Sequence, residues 1–365
     1  MTKRKLENGN YAAIDIGSNA VRLLIKRIGF TKEGLAGTKE QLIRVPLRLG
    51  ADVFTRGRIS KHKEKKLCKL LWSFSELMKL YDVVDYKACA TSAMRDAENG
   101  RKVMAMLKRK TDIKIHLLSG KEEAQLIYGT HAEFINRVGQ NFLYVDVGGG
   151  STEVNLIVHS TLVFTNSYNI GTIRVLSDTV DPEEWARLDC DLMDLATKYP
   201  NTDILGSGGN INKLYRLVEN KDKKQQRMAV GSLREIHDRM SNLSVEERVR
   251  QFNLKYDRAD VIVPASHVFL NIADIMSSQY IYVPTIGLSD GIIDDMLSKK
   301  IRKIGASWGD SIGVEVENEA GGCSADSILS MQQNGEEPDY SEDLVSDGGL
   351  KHCPPAEAEP RRPEA

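Results

Sequence analysis

A chain of 365 residues, 41% of them hydrophobic, is long enough for two domains with sizeable cores. Its net charge of -1 conceals an asymmetry: residues 310–365 hold 14 acidic and 3 basic residues, so the first 309 carry about +10, a body suited to a polyanion. Only 6% of residues are aromatic and no aromatic-basic recognition motif appears, which argues against a nucleic-acid module. Cys68, Cys89, Cys190, Cys323 and Cys353 are odd in number and form no C-x-x-C pair, as in a protein of a reducing cytoplasm. The basic start Met1 to Lys5 runs into a polar stretch, and the most apolar later run is interrupted by Pro264, His267 and Asn271, so neither a signal peptide nor a membrane span is expected.

In chain order, residues 11–28 place Asp15-Ile16-Gly17-Ser18-Asn19 between two apolar runs, which reads as a strand, a glycine turn and a second strand. The chain then passes Arg44, Arg48, Arg56 and Arg58, candidates for contact with a long polyanion. Ser60 is expected to cap a helix whose buried face is Leu67, Leu70, Leu71, Phe74, Leu77, Met78 and Tyr81. A strand over 86–90 delivers Thr91-Ser92-Ala93-Met94-Arg95, where the guanidinium either meets phosphate or pairs with Asp96 or Glu98. An alternating strand over 113–118 precedes Ser119-Gly120-Lys121-Glu122-Glu123. Ser119 and Glu122 form a capping box, which occupies Glu122 and leaves Glu123 for chemistry. Residues 124–136 continue that helix toward a hinge.

Residues 142–158, FLYVDVGGGSTEVNLIV, repeat the first hairpin: Asp146 ends an apolar run, Gly148, Gly149 and Gly150 break it, and an alternating strand resumes after Ser151 with Glu153 at its start. Consecutive glycines let N–H groups approach an anion, and Asp146 and Glu153 can hold a cation that neutralises it. The repetition about a domain apart predicts two related lobes. A third turn, Gly206-Ser207-Gly208-Gly209-Asn210, follows an apolar strand and opens a helix, which also favours an anion. Strands are expected around 162–169 and 280–285. Helices are expected from Asp181-Pro182, with Trp185, Leu188, Leu192 and Leu195 buried, from the capping boxes Ser232/Glu235 and Ser244/Glu247, and over 258–277. His237-Asp238 reads as surface and Lys221 to Lys224 as a charged loop. A last helix from Gly287 is expected to end near Lys300, before an acidic, Gly/Ser/Pro-rich tail expected to be disordered.

The segments DIGSNAVRLL, ATSAMRDAENG, SGKEEAQLIYG, VDVGGGSTE, GSGGNINKL and RADVIVPA, in that order between residues 11 and 297, resemble the exopolyphosphatase and guanosine pentaphosphate phosphohydrolase family of the actin-like ATPase superfamily. The resemblance implies an α/β fold of two ribonuclease-H-like lobes, each a mixed sheet flanked by helices, with a cleft between them. The first lobe would comprise residues 1–135 with 287–303, the second 136–286, and the tail 304–365. It implies that Glu123 is the general base and that Arg95 faces the cleft. Long relatives carry a further helical domain for which this chain is too short. Ala20 stands where relatives commonly have a small hydroxyl residue and Asn210 where they often have threonine, so one or two phosphate contacts are expected to differ.

Together these features predict hydrolysis of the terminal phosphate of inorganic polyphosphate. The phosphate would be bound by Asp15, Gly17, Ser18, Asn19, Gly148, Gly149, Gly150, Ser151, Gly208, Gly209 and Asn210, with magnesium on Asp146 and Glu153. Three alternatives stay open: a guanosine pentaphosphate 5'-phosphohydrolase, a non-enzymatic sensor of guanosine tetra- or pentaphosphate, and an actin-like kinase, for which no adenosine pocket or G-x-x-x-x-G-K-[ST] loop is visible. The sequence leaves a homodimer open.

Overall fold

The central strands of both hairpins are buried along almost their whole length, and amphipathic helices with apolar stripes cover them. The computed structural model describes residues 8–31, 34–126, 141–159, 161–284 and 286–309. Its first sheet starts with β1 (Gly9–Ile16), antiparallel to β2 (Val21–Thr31), which pairs in turn with β3 (Gly34–Val45). After α1 (Leu49–Arg56) and α2 (Lys61–Leu80), β4 (Val83–Ala90) returns parallel to β1. Helices α3 (Ser92–Asp96) and α4 (Gly100–Thr111) lead to β5 (Ile115–Leu117), parallel to β4, and α5 is described over residues 120–126. The strand order is β3-β2-β1-β4-β5.

The second sheet repeats this plan. An antiparallel set, β6 (Phe142–Val147), β7 (Thr152–Val158) and β8 (Thr161–Tyr168), is followed by α6 (Thr172–Leu176), α7 (Pro182–Lys198) and β9 (Asp203–Ser207), the last parallel to β6. Next come α8 (Gly209–Leu217), the short strands β10 (Lys221–Asp222) and β11 (Arg227–Ala229), α9 (Val230–Ser241), α10 (Val245–Phe252), α11 (Tyr256–Ala259), α12 (Ile262–Ile275) and β12 (Tyr280–Tyr282). The order β8-β7-β6-β9-β12 matches that of the first sheet, with β11 and β10 added at the edge. The fold is therefore α/β, two mixed sheets with the same ribonuclease-H-like strand order, each flanked by helices.

Local chemistry accounts for most element boundaries. Ser60 accepts a hydrogen bond from Lys63 N, and α2 buries Leu67, Leu71, Phe74 and Met78 against the first sheet. Asp181 caps α7 with Pro182 in its first turn, and Leu188, Leu192 and Leu195 are its buried stripe. Both Ser119/Glu122 and Ser244/Glu247 form reciprocal capping boxes. Ser232/Glu235 does not: α9 begins at Val230, because β11 runs straight into it, and Ser232 lies inside the helix. Residues 221–222 are strand rather than loop, since Lys221 and Asp222 pair with Met228 and Arg227. His237 is half-buried against α12, its Nδ1 2.8 Å from Ser266 Oγ, rather than on the surface.

The last helix, α13 (Leu288–Gly309), continues beyond Lys300, for residues 301–309 contain no proline to stop it. Its Leu288, Ile292, Ile293, Met296 and Leu297 pack into one cluster with Tyr11, Ala13, Leu24 and Cys89 of the first sheet and Phe142, Tyr144, Leu205 and Tyr282 of the second. Among the described residues no helix is long and apolar enough to cross a membrane. Residues 127–136 of the segment 124–136 expected to carry helix into a hinge, and residues 310–365 of the expected tail, lie outside the described residues.

Ile292 is fully buried in this shared cluster. Ile292→Ala is expected to lower unfolding free energy by about 2–5 kcal/mol, read from the urea midpoint at unchanged slope; a loss below about 1 kcal/mol would mean that α13 is not part of the core.

Candidate active site

Both hairpin turns close in the same way. Gly17 N donates to Ala20 O at 3.1 Å, and Gly148 N to Ser151 O at 2.9 Å. The turns also meet. A side-chain carbon added at Gly149 would sit 2.9 Å from Ser18 Cβ and 3.1 Å from Asn19 N, and one added at Gly150 would overlap the Phe54 ring, so the approach of the two sheets requires glycine at both positions. Gly208, the third turn, has φ +104° and passes so near Asp146 that an added carbon would lie 2.8 Å from its Oδ1. The three turns line a cavity of about 330 Å³ together with Asp15, Ser18, Asn19, Ser151, Gly209 and Asn210.

Of the residues expected to bind phosphate, Gly150 is the exception to this lining: its α-carbon faces Phe54 and Ser92. Ser18 is buried and already engaged, its Oγ 2.8 Å from Ser92 Oγ and accepting from Ala93 N at 3.1 Å. Asn19 donates to Asp257 O at 3.4 Å, while its Oδ1 has no partner. Asn210 is buried, and its Oδ1 accepts from Arg258 at 3.4 Å.

Four carboxylates cluster here: Asp15, Glu123 and Asp146 line the cavity, and Glu153 is buried beside Asp146 without lining it. Asp146 and Glu153 face each other across the β6–β7 ladder, Asp15 occupies the equivalent place in the first hairpin, and Glu123 enters from the first turn of α5. Asp15, Glu123 and Glu153 are buried and Asp146 half-buried. Glu153 Oε1 accepts from Ser151 Oγ at 2.6 Å and Ser167 Oγ at 3.1 Å. Asp146 Oδ2 accepts from Tyr144 and Ser207 hydroxyls, each at 3.3 Å. Glu123 Oε2 has no partner at all. Burial, then the negative charges of Glu153, Asp146 and Asp15, push the Glu123 carboxyl well above the usual carboxylate range. Burial and Asp146 likewise push Glu153 up to about 7, against the pull of its two serines. Burial raises Asp146 too, although Arg22 and Tyr144 oppose it.

Arg95 does not line the cavity, and of the two roles that its sequence context allowed the structure shows the pairing with Asp96. Its Nη1 donates to Leu118 O at 2.9 Å and its Nε lies 3.6 Å from Asp96, yet its charge reaches the cluster, lowering both Glu123 and Glu153. The sequence reading missed Arg22. It stands opposite Asp15 in the β1–β2 register, donates to it at 2.6 Å, and is held protonated by Asp15 and Asp146 against the opposing effect of burial. An opposite-charge pair directly across a hairpin is the signal that would have found it. Arg44 lines the cavity and pairs with Asp257 at 2.6 Å; Arg48 pairs with Asp260; Arg56 and Arg58 are exposed and do not line the cavity. Arg258 joins this rim, its pKa pressed down to about 10 by burial and by Arg44 and Arg22.

The lining thus combines glycine-turn N–H groups, buried carboxylates and a rim of arginines, an inventory suited to phosphate and a divalent cation. Residues 41–300 match the model of the Ppx/GppA phosphatase family. The chain belongs to that family. Exopolyphosphatase 1 of Mycobacterium tuberculosis is 24% identical over 343 residues, covering 89% of this chain and 98% of the relative. The guanosine-5'-triphosphate,3'-diphosphate pyrophosphatase of Aeromonas hydrophila is 29% identical over 46% of this chain and 33% of its own length. Among solved structures, the Ppx/GppA family member of Aquifex aeolicus superposes with a TM-score of 0.64 at 25% identity, over 80% of this chain and 99% of that one. The Cytophaga hutchinsonii exopolyphosphatase has the same fold, with a TM-score of 0.69 at 20% identity over 80% and 98%.

Among the described residues no three His, Cys, Asp or Glu side chains are arranged as a complete metal-ligand set. The donor set nevertheless fits magnesium, which commonly takes one or two carboxylates and completes its shell with water and substrate phosphate. The unpartnered Glu123 oxygen and the raised Glu153 and Asp146 carboxyls mark negative charge that the protein alone leaves uncompensated.

A carboxyl whose folded pKa is raised binds more protons in the folded than in the unfolded state between about pH 4.5 and 7, so its contribution to stability falls as pH rises through that window. In chelator-treated protein, Glu153→Gln retains an acceptor for Ser151 and Ser167 and is expected to gain on the order of 1–3 kcal/mol relative to the parent at pH 8 compared with pH 5. Equal offsets at both pH values in thermal melts would refute the buried-charge account.

Proposed function

We propose that this chain is an exopolyphosphatase that hydrolyses the terminal phosphate of inorganic polyphosphate, in a cleft between a first lobe of residues 1–135 with 287–303 and a second of 136–286. The observation that carries the reading is the meeting of two matched glycine turns over a buried carboxylate whose free oxygen points to no protein group. Membership in a phosphatase family and similarity to an exopolyphosphatase along nearly its whole length support it.

In this reading the terminal phosphate lies between Gly17-Ser18-Asn19 and Gly148-Gly149, where backbone N–H groups stabilise charge developing on its oxygens. Asp146 and Glu153 would hold a divalent cation, magnesium, which when bound supplies positive charge to phosphate oxygens. Glu123 accepts a proton from the attacking water; its raised pKa makes it a better base than an ordinary carboxylate. The oxygen of that water bonds to the terminal phosphorus as the bridging P–O bond breaks, and the proton passes to the released phosphate. Arg22, which lines the cavity, and Arg95, whose charge acts on Glu123, add charge stabilisation, as a loose phosphoryl-transfer transition state requires. Arg44 and Arg258, on the rim, receive the remainder of the polyanion.

The test is phosphate release with magnesium from long polyphosphate, guanosine pentaphosphate and ATP in parallel, by the parent and by Glu123→Gln. Polyphosphate is expected to be cleaved, and kcat to fall by about 10²- to 10⁴-fold in the variant. Cleavage of guanosine pentaphosphate alone would move the same site to alarmone hydrolysis. Tight binding of the nucleotides without any turnover would replace catalysis with sensing.

A further inference from the structure

Three consecutive carbonyls of the second glycine turn are anchored to one short helix. Thr172 N donates to Gly148 O at 3.0 Å, Ile173 N to Gly149 O at 2.8 Å, and Arg174 Nε to Gly150 O at 2.8 Å. In a trans peptide the C=O and the following N–H point in opposite directions. Anchoring these three carbonyls on α6 therefore turns the N–H groups of Gly149, Gly150 and Ser151 away from that helix, and Gly149 and Ser151 are among the residues that line the cavity. The first two anchors are backbone groups, which any sequence folded this way supplies. The third is a side chain.

Arg174 is also fixed from its other edge. Its Nη2 donates to Asp96 Oδ2 at 2.7 Å, its guanidinium lies 4.0 Å above the Phe54 ring, and its side chain is only 16% exposed. Asp96 belongs to the first sheet's half, at the end of α3, and its other oxygen lies 3.6 Å from Arg95 Nε. One guanidinium thus spans from the Gly150 carbonyl to the carboxylate beside Arg95.

We infer that Arg174 is a positioning residue for phosphoryl transfer. It orients the Gly150–Ser151 peptide so that Ser151 N–H meets the transferring phosphate, and through Asp96 it sets that peptide and Arg95 in register across the cleft. The inference rests on the phosphohydrolase reading above. An N–H aimed at charge that develops during reaction changes kcat more than ground-state binding.

The experiment measures kcat and KM, across pH, on whichever substrate the parent cleaves, for Arg174→Gln, Arg174→Lys and Asp96→Asn, each checked by thermal melting. Arg174→Gln is expected to lose about 10- to 100-fold in kcat with KM within about threefold, the pH profile keeping its shape. Arg174→Lys should not recover kcat, because an ammonium on a flexible stem cannot bond Gly150 O and Asp96 while stacking on Phe54. Asp96→Asn, which leaves the Gly150 bond in place, should lose about 3- to 10-fold in kcat. Parental kcat in a folded Arg174→Gln or Arg174→Lys, or a loss confined to KM, overturns the inference. Should Arg174→Gln fail to fold, Asp96→Asn decides: parental kcat there overturns the coupling to Arg95. An inactive parent overturns the phosphohydrolase reading instead, and is recognised because all four proteins are then equally silent.

Discussion

The repulsion among Asp15, Glu123, Asp146 and Glu153 is the constraint around which this molecule is arranged. Four carboxyl groups with little access to water cannot all ionise without compensation. The protein offsets the charge in pieces: Arg22 against Asp15, serine hydroxyls against Glu153, Tyr144 and Ser207 against Asp146. Glu123 receives nothing on one oxygen. In the function proposed here, this uneven compensation is what would make one carboxyl a base and others cation ligands, although all four groups are the same chemical species.

What keeps the carboxylates together is the contact between two glycine turns from different sheets. Ion pairs that cross from one half to the other, Arg44 with Asp257, Arg48 with Asp260 and Arg174 with Asp96, are partly exposed and each contributes little on its own. The apolar cluster around α13 joins the same two halves with fully buried side chains such as Tyr144, Tyr282, Ile292 and Ile293. By area that cluster outweighs the ion pairs. The two halves are therefore joined chiefly by the buried apolar cluster and only lightly by the partly exposed ion pairs.

Features that depend on local chemistry were readable from sequence: the hairpin turns, the caps at Ser60, Ser119, Asp181 and Ser244, and the buried stripes of α2 and α7. Even the duplicated strand order was foreshadowed by the repeated turn. The strand β3 escaped notice because it is an edge strand whose residues 37–40 and Leu42 are exposed, so its apolar alternation is weak. Ser232 misled because a cap-like spacing carries no information about where the preceding strand ends. Arg22 was legible in the cross-hairpin pair with Asp15 and was overlooked. Arg174 was passed over for a different reason: it acquires its meaning from Gly150 and Asp96, which only folding brings near.

The position of α13 also bears on how the chain is made. The face of the first sheet formed by Tyr11, Ala13 and Leu24 is covered by residues 288–297, so its covering helix is translated roughly 260 residues after it. At elongation rates of about 5–20 residues per second, the nascent protein carries that apolar face bare for tens of seconds. The last contacts to form are thus among the longest in sequence separation, and the first half of the molecule emerges from the ribosome as a client for whatever shields exposed sheet surface.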